Sequence, residues 1–252
     1  MDTNTRHKQK TGYTIVEIST VVVIIGILIG GLGVYQRIIK TSAAMAVVNE
    51  FGQFKIAINS FYNIYNGLPG DIPNASTLWP SCDGTPANCN GNNNGVINTS
   101  ATLLTDEAAR MWQQLFAAGL VSYKYTGVHV AASDCIMGTN CPASKYSPNG
   151  WSIYSTILYT TATASVGLYL AGYVSNTATA TISNYDAVFI DSKIDDGVPK
   201  SGKVLSEWSD DAAGNAGTGV AAGTGCVTGA SNVYNFTSTA GKCAMQFLIQ
   251  TQ

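Results

Sequence analysis

Lys10-Thr11-Gly12-Tyr13-Thr14-Ile15-Val16-Glu17, followed by the uncharged and largely apolar run of residues 18–35, is the stretch on which the reading of this chain turns. A basic leader meets a glycine, and a carboxylate sits just inside what reads as a membrane helix. Such a carboxylate is expensive, costing about 2.5–3.5 kcal/mol at the bilayer centre on insertion scales, and so points to a role. The run of 18 residues falls in the range of roughly 17–25 that one bilayer crossing needs.

An ordinary secretory signal is cut after its apolar stretch. Here the small-residue junction, Gly12/Tyr13, precedes it. Cutting there removes the leader and keeps the helix. It also frees an α-amine four residues from Glu17, about 6 Å along a helix axis.

The order basic leader, Gly12, Tyr13, Thr14, two apolar residues and Glu17 resembles the N-terminus of type IV prepilins and of the pseudopilins of type II secretion systems. Tyr13 stands where that family usually has Phe. The resemblance covers residues 8–36 and fades beyond them. It implies cleavage by a prepilin peptidase between Gly12 and Tyr13, N-methylation of Tyr13, and entry into a filament with other pilins or pseudopilins. It further implies delivery by an inner-membrane assembly platform. In the filament, Glu17 would meet the Tyr13 amine of a neighbour, each charge offsetting the other's desolvation.

Arg6, Lys8 and Lys10 keep the leader cytoplasmic under the positive-inside rule, although Arg37 and Lys40 on the far side weaken the asymmetry. The expected location is therefore a single pass of the bacterial inner membrane with a periplasmic head, and later a pilus or pseudopilus. The formal net charge is −2, and losing residues 1–12 takes away three cations and Asp2, leaving −4. No basic field supports nucleic-acid binding.

Residues 13–66 read as one helix. Residues 13–36 form the transmembrane or filament-core half and 37–66 an amphipathic half. Val47, Val48, Phe51, Phe54, Ile58, Phe61, Tyr62 and Tyr65 recur there at helical spacing. Gly26, Gly30, Gly31 and Gly33 lie in the first half. They serve either close helix packing, as in Gly26-x-x-x-Gly30, or local loosening of the helix.

Residues 67–252 should form one head. Its low charge (11%) and 46% hydrophobic content suit a packed, secreted domain with polar loops. All six cysteines, Cys82, Cys89, Cys135, Cys141, Cys226 and Cys243, fall on the side expected to oxidise them. Fifteen connectivities are open, and pairing of sequence neighbours is the simplest.

Asn90, Asn92 and Asn94 alternate before Gly95, as oxygen donors do in a calcium loop. Ala101 stands where a bidentate Glu belongs, with Asp106 or Glu107 as distant substitutes. The competing reading is a tight Asn-Gly turn. Thr105 caps a predicted helix over 105–119, in which Trp112 belongs to the core. That string, 112–120, and Leu68-Pro69-Gly70-Asp71 resemble a loose set of bacterial prepilin-like proteins.

Strands are expected over 151–159, 166–174, 203–208, 232–237 and 243–249, with a Ser183-capped helix between. The expected fold class is α+β: a long N-terminal membrane or filament helix packed on an antiparallel sheet, with short helices and disulfide-bonded loops.

Two motifs carry less. Residues 197–203 resemble a phosphate loop, but Val204 replaces the Ser or Thr that holds magnesium. Asp191, Asp195 and Asp196 cluster at a helix end. His129 alone assembles no catalytic triad, so no enzyme activity and no cofactor other than the calcium above are expected. A filament subunit is the leading reading, with a minor pilin acting in adhesion or DNA uptake as the alternative.

Overall fold

The computed structural model describes residues 12–80, 82, 89–97, 107–128, 135–153, 166–174, 177–207, 225–227, 232–236 and 242–249; for 31–38, 173–174, 177–178 and 207 it describes the backbone alone. The chain divides into two units, Met1–Ser42 and Ala43–Gln252.

Helix α1 is assigned over Ile15–Tyr65. Within the first unit its large aliphatics stand in the open, with Ile15 88%, Val16 68% and Ile27 70% exposed. The expected membrane architecture needs correction here. Among the described residues no helix is long and apolar enough to cross a membrane. The uncharged run whose side chains are described covers residues 18–30. That is roughly 20 Å of helix against a hydrocarbon core of roughly 30 Å. Both the membrane-spanning fold class and the single-pass inner-membrane location are corrected on this finding.

In the second unit, Val47, Phe51, Ile58 and Phe61 are buried, and Val48, Phe54, Tyr62 and Tyr65 pack beside them. The aromatic stripe was legible from its spacing, and its partners are now visible. Phe51 lies 5.1 Å from the Phe247 ring, and Phe54 meets Trp112 edge-on at 4.9 Å and Trp151 at 5.5 Å. Asn66, in the left-handed region at φ 51°, stops α1 one residue before Gly67.

Short helix α2 spans Ala75–Leu78, and α3 spans Glu107–Ala117. The sheet follows, with β1 (Asn149–Ile153), β2 (Val166–Val174), β3 (Thr177–Thr179) and β4 (Ile182–Ser183), then α4 (Asn184–Ile194), β5 (Val204–Glu207) and β6 (Lys242–Ile249). Its path is β1-β2-β6-β4, with β3 on β2 and β5 on β6, and every pairing is antiparallel. Strand β6 is central, paired along both edges, and beyond Lys242 its residues are buried on both faces. Cys243, Met245, Phe247 and Ile249 face the main core at zero exposure. Ala244 joins Tyr169 and Ala171 in a smaller cluster.

The first expected strand begins two residues early and is described only to Ile153. Tyr234 forms a single bridge with Val227 instead of a strand. Ser183 caps α4 as expected, its side chain accepting the Asp186 amide. Thr105 and His129 lie outside the described residues. The three disulfides join sequence neighbours: Cys82–Cys89, Cys135–Cys141 and Cys226–Cys243.

Candidate functional site

Gly12, Tyr13 and Thr14 precede α1 in non-helical chain, and Tyr13 is 83% exposed. A peptide bond here carries no helical hydrogen bonding that a protease would first have to break. Thr14 and Glu17 form a reciprocal capping box. Glu17 Oε2 accepts the Thr14 amide at 2.8 Å and the Thr14 hydroxyl at 2.9 Å. Thr14 Oγ1 accepts the Glu17 amide at 3.3 Å. Two of the helix's orphan donors are thereby satisfied. The Thr14 amide, then its hydroxyl, hold the Glu17 carboxyl below the ordinary glutamate range.

The Thr-x-x-Glu spacing was in the sequence. Gly26 and Gly30 sit in the exposed part of α1, with open space where a Cβ would stand. The side-chain surroundings of Gly31 and Gly33 lie outside the described residues.

In the second unit, the motifs noted separately in the sequence come together. Gln114 of α3 accepts the Gly70 amide at 2.6 Å and donates to the Cys89 carbonyl at 2.8 Å. It thereby ties the Leu68–Asp71 turn to the first disulfide. Asp71, almost wholly buried, accepts the amides of Asn94 and Gly95 at 3.1 and 2.9 Å. Glu107 accepts the Asn92 amide at 2.9 Å. The backbone comes so close that a Cβ on Gly91 would lie 2.2 Å from Asp71.

Each of the three asparagine oxygens considered for calcium also accepts a backbone amide. Asn90 takes that of Ser76, Asn92 that of Asn94, and Asn94 that of Val96. The bonds of Asn92 and Asn94, each to the amide two residues on, are those of Asx-stabilised turns, and that of Asn90 ties the loop to α2. Asp71 was noted as part of a turn motif, and its position beside the asparagines was not readable from a sequence separation of more than twenty residues.

Asp191, Asp195 and Asp196 each offer an oxygen within 4.8 Å of the others. Asp191 is buried, and accepts the Tyr234 hydroxyl at 2.7 Å and the Gly197 amide at 3.2 Å. Burial pushes its pKa up to about 6 against the pull of those two donors, and Asp196 and Asp195 add to the rise. Burial also raises the pKa of Tyr234, so its proton stays in place to be donated.

The phosphate-loop resemblance dissolves in the same place. The amides that would cradle a phosphate face carboxylates of the chain itself: Gly197 to Asp191, Val198 to Asp196, and Lys203 to Asp195. The turn is already filled with negative charge.

Compared with protein-family models, with curated proteins and with solved structures, the chain finds no match in any of the three.

Proposed function

We propose that this chain is a structural subunit of a filament, either a type II secretion pseudopilus or a type IV pilus-like fibre. A prepilin peptidase cuts between Gly12 and Tyr13, and Tyr13 becomes the N-methylated first residue. The subunit then polymerises through the segment that follows. The observation that carries this reading is the exposed apolar face of α1 beginning directly after an accessible junction. Val16, Val22, Ile27 and Ile29 are each more than 60% exposed in the single chain. A helix apolar around its circumference is ordinarily a buried one. Like helices of neighbouring copies supply that cover.

Glu17 has its place in the same scheme. Its carboxylate and the new amine of a neighbour's Tyr13 bear opposite charges, and pairing offsets the cost of burying both. Replacing Glu17 with Ala or Val should leave a stable, cleaved protein that does not polymerise. Normal filaments from Glu17→Ala would remove the assembly role.

A further inference from the structure

An asparagine followed by glycine is the pair in which a side-chain amide reacts most readily with its own backbone, because no Cβ hinders the next nitrogen. The chain has four such pairs: Asn66-Gly67, Asn90-Gly91, Asn94-Gly95 and Asn149-Gly150. The fold treats them unequally. Asn90 accepts the Ser76 amide, and the Gly91 amide donates to the Ile72 carbonyl, both at 2.8 Å. Asn94 accepts the Val96 amide at 3.0 Å, and the Gly95 amide donates to Asp71 at 2.9 Å. Asn149 is fully buried; its amide donates to the Tyr146 carbonyl at 2.7 Å and accepts the Thr181 hydroxyl at 2.6 Å. Asn66 differs. It is exposed, and neither its side chain nor the Gly67 amide makes a hydrogen bond with any described residue.

We propose that Asn66 is a self-modification site, at which the side-chain amide becomes aspartate and isoaspartate through a succinimide formed with Gly67. Hydroxide takes the proton of the Gly67 amide. The nitrogen attacks Asn66 Cγ, a new C–N bond closes a five-membered ring, and ammonia leaves. Water then opens the ring. Opening at the side-chain carbonyl gives aspartate. Opening at the main-chain carbonyl gives isoaspartate, with the chain now running through the former side chain. One water enters, one ammonia departs, and nothing is oxidised or reduced.

The end of a helix is where a fold opens most readily. Attack at Asn66 needs only the last turn of α1 to loosen, whereas the other three pairs must first give up hydrogen bonds. Both products matter for the same turn. Each places a carboxylate beside the unpaired carbonyls that end α1, and the last turn of that helix has no basic residue to offset it. Isoaspartate also adds one main-chain carbon before the Leu68–Asp71 turn, which Gln114 holds by the Gly70 amide. Gly67 is packed so closely that a Cβ there would lie 2.6 Å from Ile72 Cγ2, which leaves little room for the added length.

The test ages the folded full chain at mildly alkaline pH and follows conversion of amide to acid in each of the four peptides by mass spectrometry. An isoaspartyl carboxyl methyltransferase with a labelled methyl donor marks the isoaspartate. A second sample is aged reduced and unfolded in urea. In the folded chain Asn66 should convert roughly tenfold faster than each of the others, the margin that one or two broken hydrogen bonds give. In urea all four should convert at comparable rates. Asn66→Gly, which suits the left-handed backbone there, should remove the leading signal and leave the other three unchanged. A folded chain that converts first at Asn90, Asn94 or Asn149 overturns the proposal. So does one in which Asn66 stays intact while the same residue reacts in urea. An equal lead for Asn66 in urea also overturns it, by placing the preference in local sequence instead of the fold.

Discussion

The indole nitrogen of Trp151 donates to the Glu50 carboxylate at 2.8 Å, across 101 positions of sequence. The same carboxylate accepts the Ser144 hydroxyl at 2.7 Å and the Lys145 amide at 2.9 Å. One acid on α1 thus fastens the helix to the start of β1. Trp151 is fully buried and needs an acceptor for its N–H. Losing that acceptor should cost about 2–3 kcal/mol. Glu50→Ala is expected to lower the urea midpoint accordingly with an unchanged slope, and Glu50→Gln, which retains a carbonyl oxygen, by about half as much. Equal midpoints for Glu50→Ala and the parent would show that the helix is held by apolar packing alone.

Gly91 has no room for a side chain beside Asp71. The obstacle is main chain, which cannot rotate away. Gly91→Ala should destabilise the second unit by about 1–3 kcal/mol, the usual size of a forced overpacking. A thermal melt that shifts by less than a degree would mean the Asp71 turn is looser than described.

The disulfides should rank by the chain they close. Cys226 and Cys243 are 17 positions apart, and Cys135 and Cys141 only 6. On the chain-entropy account, Ser substitution of the first pair costs about 3 kcal/mol and of the second roughly 2. Denaturation of the two double-Ser variants measures the order. A reversed order would place the stabilisation in native contacts around Cys135.

Asp191 gives a pH dependence whose sign is fixed. Its carboxyl titrates near 6 in the folded chain and 3.8 when free. The folded state therefore holds the proton more tightly, and this group's contribution is present in full below 3.8 and is lost as pH rises to 6 and above. The contribution amounts to about 2–3 kcal/mol at most. Asp191→Asn keeps an acceptor for Tyr234 and should flatten the fall in stability between pH 4 and 6.5. An identical pH profile in the variant would rule out Asp191 as its source.

What could be read without coordinates follows physical lines. The stripe from Val47 to Tyr65, the Ser183 cap and the strand over 243–249 are local patterns, each set by a run of residues or a single side chain. The pairing of neighbouring cysteines was the simplest of fifteen connectivities left open by the sequence, and the fold adopts it. Glu50, Asp71 and Gln114 were not readable, because their partners are brought in by the fold. The membrane helix was inferred from hydropathy alone, and the described part of its apolar run is too short to cross a bilayer. Thr14 and Glu17 differ from these: their Thr-x-x-Glu spacing is itself the pattern of a capping box, and the structure forms it.

The central claim is that the chain works after losing its leader, with Tyr13 as its first residue. Mass spectrometry of the N-terminal peptide of the protein recovered from its native cell tests it directly. The account predicts a peptide beginning at an N-methylated Tyr13. A peptide that still begins at Met1 in the functioning protein would contradict it, since the amine that Glu17 is to meet would never exist.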